Sequence, residues 1–151
     1  MKRLPAIVCD LLISGCALAP REGNTVWISG YLDQRMADAV ERVGIPHGGV
    51  VRLDSIGGDV GPALKLVQMV ATAEADTVAV HRCFSACVYV WAAGVHRTVA
   101  DGARLGVHRM TAGDAGNQGA ALMMIALGAP KAVVGDMLRT PTWDIKTVTP
   151  W

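Results

Sequence analysis

Apolar positions change period along the chain, and the changes divide it into short segments of two kinds. Residues 25–29 are β-branched and aromatic and end at Gly30, which reads as a strand. From 33 to 43, Met36, Ala37, Val40 and Val43 recur at helical spacing until Gly44 and Pro46 close the helix. Residues 49–54 form a second apolar strand. Ser55-Ile56-Gly57-Gly58-Asp59 reads as a tight loop opening a helix over 60–73, with Leu64, Val67, Val70 and Ala71 on one face. The pattern then predicts a strand at 77–80 and a helix over 85–93 that is small or apolar nearly all round and must therefore be buried. Short strands at 97–100 and 104–107, a flexible loop at 113–119, helices at 120–127 and 131–138 and a turn at Pro141 follow.

Strand and helix alternate through most of this order, which predicts α/β layers with mostly parallel strands joined by crossover helices. In such sheets, sites gather outside the carboxyl ends of the strands. The Gly57-Gly58 loop follows the second strand and Ser85 follows the third, so both fall where chemistry is expected. At 151 residues there is room for a single core. Lys+Arg 14 against Asp+Glu 13 leaves almost no net charge, and without a clustered basic surface nucleic acid is not an expected partner.

The first residues differ from the rest. Lys2 and Arg3 precede an apolar run from 4 to 13, and Ile13-Ser14-Gly15-Cys16 matches the small-residue pattern before a lipoprotein cysteine. The expected organisation is a signal peptide over 1–15, a linker over 16–24 and a catalytic domain over 25–151. Cys16 would carry the lipid, giving membrane association and a periplasmic or outer-membrane location in a bacterium. Asp10 interrupts the apolar run, and an ordinary buried first strand over 6–13 is the other reading; the location would then be cytoplasmic. With processing, Cys9 would be removed and Cys83 and Cys87 would remain as thiols where disulfides persist.

A serine attacks a carbonyl only if a base takes its proton, and the resulting oxyanion needs aimed donors. Ser85 opens a predicted helix, so the Ala86 N–H is one of the free donors at that start. Gly57 and Gly58 offer bare backbone close to any ligand. His108 ends a strand after Leu105-Gly106-Val107, and imidazole suits a base near neutral pH. Each feature alone also has a plain structural reading: a Gly-Gly turn, a helix cap, a satisfied histidine. No metal is expected, because Cys83, Cys87 and the histidines lack zinc spacing.

Together, Asp54-Ser55-Ile56-Gly57-Gly58-Asp59, Cys83-Phe84-Ser85-Ala86-Cys87 and Leu105-Gly106-Val107-His108, in that order and at those gaps, resemble the Clp protease proteolytic subunit within the ClpP/crotonase superfamily. The closer resemblance is to secreted bacterial ClpP-like proteins with a serine between two cysteines. It implies a ClpP/crotonase-like α/β fold and a serine peptidase or acyl hydrolase acting on peptides or proteins outside the cytoplasm. It assigns Ser85 as nucleophile, His108 as base and Gly57, Gly58 and Ala86 as the oxyanion hole, with no cofactor. The third triad member would be Asp144, which precedes Pro150, with Asp136 and Asp114 as rivals. Ile56 stands where the family loop usually has proline. The His108 to Asp144 connection is shorter than the family's, and the helix and strand usual after the proline are missing, so a C-terminally shortened version is expected. Self-association follows by analogy, with Leu122, Met123, Met124 and Ile125 as a contact face or, alternatively, as core.

Two other functions share these motifs: a crotonase-type acyl-CoA enzyme, and a non-catalytic binding or assembly protein that kept the fold. Cys83 and Cys87, four apart at a helix start, are close enough for a disulfide bracing the Ser85 turn, given some distortion. Two buried free cysteines acting as small apolar residues is the other reading.

Overall fold

A computed structural model describes residues 19–151. The sequence from 1 to 18, including the signal-peptide reading, Cys9 and Cys16, lies outside the described residues. The elements run β1 (Arg21–Glu22), β2 (Thr25–Leu32), α1 (Gln34–Val43), β3 (Val50–Gly58), α2 (Val60–Thr72), β4 (Asp76–Phe84), α3 (Ala86–Ala92), β5 (Arg97–Val99), β6 (Arg104–Val107), α4 (Gly113–Ala126), α5 (Lys131–Arg139) and β7 (Lys146–Val148).

The strands form one seven-stranded sheet in the order β1-β2-β3-β4-β6-β7, with β5 beside the first half of β4. Pairings between β2, β3, β4, β5 and β6 are parallel, and the two edges, β1 on β2 and β7 on β6, are antiparallel. The expected α/β class with crossover helices is therefore what the chain adopts. Residues 19–24, expected as linker, join it instead: Arg21 pairs with Val26, and the Trp27 N–H donates to the Pro20 carbonyl at 3.0 Å.

Alternation sets the two faces of the sheet. Val26, Ile28, Val51, Leu53, Thr77 and Ala79 point to the buried face, whereas Trp27, Arg52, Asp54, Val78 and Val80 are only partly covered. On the buried side α1 contributes Met36, Ala37 and Val40, and α2 contributes Ala63, Leu66 and Val70, while Leu64 and Ala71, expected on its apolar face, are exposed. Asp33 caps α1 by accepting from the Met36 N–H at 2.9 Å, which satisfies one orphan donor of the first turn. All seven residues of α3 are buried, as its all-round apolar composition required. It packs against α2, β3 and β4 at the centre of the fold.

Two local expectations fail for identifiable reasons, and a third divides between the two readings given for it. Residues 55–58 are not a loop: they continue β3, with Tyr31 opposite Gly57 and Leu32 opposite Gly58, after a register shift at Gly30. Residues 113–119 are not a loop either but the start of α4. There the buried Asn117 amide holds the preceding segment, accepting from the Met110 N–H at 2.7 Å and donating to the carbonyls of Met110 and Gly113. That network, with Ala120 and Met124 buried behind it, outweighs the low helix propensity of Gly113, Gly116 and Gly119. Finally, Met124 is core while Leu122 and Ile125 are exposed, so the apolar run at 122–125 divides between two sides of α4.

Candidate active site

Strand β4 ends at Phe84, and α3 begins at Ala86, so the chain turns from strand to helix within the single residue Ser85. Ser85 has φ 54° and ψ −126°; among the described residues only Glu74 is another non-glycine with positive φ. Such a conformation costs on the order of 1–3 kcal/mol for a residue with a Cβ and persists only where its surroundings fix it. The surroundings do so here. The Ser85 N–H donates to the Gly106 carbonyl at 2.8 Å, anchoring the turn to β6. The Ser85 carbonyl accepts from Val88 at 3.0 Å within the first turn of α3. Cys83 and Cys87, both fully buried, are joined by a disulfide across the turn, their Cα atoms 5.1 Å apart. The Ser85 side chain makes no capping hydrogen bond, so the hydroxyl is not spent on the helix end.

The glycines at the end of β3 meet this turn. A Cβ on Gly57 would lie 2.7 Å from the Phe84 carbonyl oxygen and the Ser85 Cβ, and 3.0 Å from the Ala86 nitrogen. Only glycine permits that approach, and Gly57 has φ 97°, a second reason for it. The two glycines differ in what their N–H groups do. Gly57 donates to Ser55 Oγ at 3.0 Å, while Ser55 in turn donates to the Gly30 carbonyl. Around Gly58, the ladder to β2 uses the Asp59 N–H, which donates to the Leu32 carbonyl at 2.8 Å. In this parallel register the Gly58 N–H is directed away from β2. Gly57 therefore supplies clearance, and Gly58 supplies a donor not spent on β2. Ser55 braces Gly57 from the buried row of β3. Its signal was there in the alternation, since Val51, Leu53 and Ser55 share the buried face and a serine in that row needs partners.

His108 follows β6, two residues beyond the carbonyl that holds Ser85. Both residues thus sit at the carboxyl ends of adjacent parallel strands. The Thr142 backbone lies beside its ring and favours the charged form, and the buried Nδ1 has no partner. Burial lowers the His108 pKa below the ordinary 6.5, opposed in part by the Thr142 backbone. The neutral ring is consequently the favoured form at pH 7.

The three carboxylates considered for the third position are engaged elsewhere. Asp144 is exposed, its Oδ1 accepting from the Ile145 N–H at 2.8 Å. Asp136 pairs with Arg139 at 3.0 Å, and Asp114 lies 3.7 Å from Arg109. The Thr142 backbone beside the His108 ring belongs to the 141–144 turn, which is held by the Asp144 N–H donating to the Pro141 carbonyl at 3.1 Å. The Arg109 N–H donates to the Thr140 carbonyl at 2.9 Å, tying the strand end to the same turn. Among the described residues, no group of three or more His, Cys, Asp or Glu side chains is placed to hold a metal ion.

Similar folds exist among solved structures. ClpP1 from Listeria monocytogenes superposes with a TM-score of 0.67 at 18% identity, covering 83% of this chain and 83% of that one. A point mutant of the same protein gives 0.61 at 16% identity, covering 74% of this chain and 77% of that one. The chain has a ClpP-like fold. No family model and no curated protein matches the sequence. At these identities the ClpP-like fold is a likeness of architecture, and the chemistry rests on the residues of this chain.

Proposed function

We propose that the protein is a serine hydrolase of peptidase type, with Ser85 as nucleophile and His108 as base. The observation that carries this reading is Ser85 itself: a serine held at positive φ on a strand-to-helix turn, against bare glycine backbone, with no structural bond on its hydroxyl. A turn of this kind lifts a nucleophile out of the sheet and leaves the first helical N–H groups facing the attacked group. Ser85 Oγ attacks the substrate carbonyl as neutral His108 takes its proton. The N–H groups of Ala86 and Gly58 stabilise the oxyanion, and His108 returns the proton to the leaving group. Water then hydrolyses the acyl-enzyme by the same relay.

Peptides or unfolded protein segments are the proposed substrates, and no cofactor takes part. Export and lipidation at Cys16 belong to the proposal and are supported by the Ile13-Ser14-Gly15-Cys16 pattern. Among the described residues no helix is long and apolar enough to cross a membrane. Self-association also belongs to it, supported by exposed Leu122 and Ile125 on α4. Turnover of a panel of activated esters and short peptides by wild type and Ser85→Ala, both checked for folding by circular dichroism, tests the reading. Hydrolysis should vanish in the variant while the fold is kept. Equal turnover by the two proteins refutes it.

A further inference from the structure

The mechanism uses Ser85 but gives no task to the cysteines on either side of it. Cys83 is the penultimate residue of β4 and Cys87 the second residue of α3, so their disulfide closes a covalent ring around Phe84, Ser85 and Ala86. Both half-cystines and Ala86 are buried, whereas Ser85 is only partly covered. The ring thus fixes the ends of the turn in the core and leaves its nucleophilic residue at the surface. The loop it closes is too short for a large effect on the unfolded chain, whose entropy such bridges chiefly reduce. What the bridge does constrain is local: the change of direction between strand and helix, at the one residue of the turn held in an unfavourable backbone region.

From this placement we infer that the Cys83–Cys87 disulfide positions Ser85, so that hydrolase competence depends on the oxidised state of the pair. The inference rests on Ser85 being the nucleophile and adds its regulation. Reduction by a dithiol breaks the S–S bond and forms two S–H groups, taking two electrons and two protons from the reductant, which closes its own disulfide. Three contacts then remain to hold Ser85: its N–H on Gly106, its carbonyl on Val88 and the Gly57 backbone. The turn relaxes toward ordinary dihedrals, which moves Oγ from its place beside the glycines and loosens the N–H of Ala86. The buried sulfurs need a local opening to meet a reductant, so the state set during folding persists in the native protein. Substrate contacts away from the turn are untouched, and the loss falls on kcat rather than KM.

Wild-type protein is compared before and after reduction with dithiothreitol, with alkylation and intact mass counting the thiols, alongside the Cys83→Ala/Cys87→Ala double variant. The readouts are the labelling rate with a fluorophosphonate, the kcat and KM for an ester substrate, and hydrogen exchange at the Ser85 and Ala86 amides. Opening the bridge should slow labelling and lower kcat by about tenfold or more at constant KM, and speed exchange at those amides by a similar factor. Equal labelling in the two redox states overturns the inference while leaving the nucleophile assignment intact. Slower labelling with unchanged exchange overturns the positional mechanism. If oxidised wild type does not label at all, the hydrolase reading fails on its own, and exchange alone decides the positional part: unchanged protection of Ser85 ends it.

Discussion

The two halves of the candidate site are built to different standards. Around Ser85 a buried disulfide, a backbone bond to β6, a glycine approach from β3 and a wholly buried helix converge on one residue. Around His108 the ring is partly buried with its Nδ1 unpartnered, and its backbone neighbour Thr142 belongs to the 141–144 turn, which carries the exposed Trp143 and Asp144. The difference follows from what each part must do. A nucleophile on a tight turn has to be held against its own backbone preference. A base needs only a neutral ring, and burial suffices for that.

Substitutions at the nucleophile turn should therefore act more strongly than those at the far end of the relay. Gly57→Ala should have the largest effect, because the added Cβ meets backbone at Phe84 and Ala86 that cannot move without moving Ser85. Probe labelling should fall by about 100-fold or more, with about 1–3 kcal/mol lost in urea unfolding. Full reactivity in this variant would show that the glycine approach is dispensable.

His108→Ala comes next, with turnover reduced about 100- to 10,000-fold at pH 7. The base should also write its signature on the pH profile. Its folded pKa is depressed, so activity should hold at neutral pH and fall only below the ordinary 6.5. Stability moves in the same direction. Between 6.5 and the lower folded value the unfolded chain binds more protons, so the contribution of neutral His108 is complete above 6.5 and is lost as pH falls through the folded pKa. An acid limb centred above 6.5 in kcat/KM would point to another base.

Asn117→Ala removes the buried amide that ties Met110 and Gly113 together beyond His108, leaving partly buried backbone groups unpaired. A loss of about 1–3 kcal/mol is expected in denaturant titration, with labelling of the remaining folded protein changed little. The smallest effect is expected from Asp144→Asn, because its carboxylate faces solvent and its one hydrogen bond is to the next residue. Turnover should stay within about threefold of wild type, where a triad aspartate would cost orders of magnitude.

Much of this organisation is legible in the sequence, and what is not has a common cause. Helices α1 and α3 can be read because their burial is periodic or complete and because α1 starts with a cap, Asp33; the span of α2 can be read too, but its buried face runs through Ala63, Leu66 and Val70 and not through Leu64 and Ala71. Ser85, Gly57, Gly58 and His108 can be picked out because strand ends concentrate chemistry, and the structure gathers Gly57, Ser85 and Ala86 at one turn. Residues 55–58 and 113–119 mislead because glycine suggests loops. One segment is strand because β2 pairs with it, and the other is helix because Asn117 and Met124 are buried against distant partners. Strand β7 is too short to show a period and exists by pairing with β6. The Thr142 contact to His108 is a backbone interaction, which no residue type announces. Local preference is written in the chain, whereas these outcomes depend on what packs against it.

The central claim is that Ser85 is an activated nucleophile, and covalent capture addresses it most directly. Oxidised wild-type protein treated with a fluorophosphonate at pH 7.5 should gain the mass of one adduct, and peptide mapping should place it on Ser85, with none formed after heat denaturation. An unmodified protein, or an adduct on any other residue, would contradict the account.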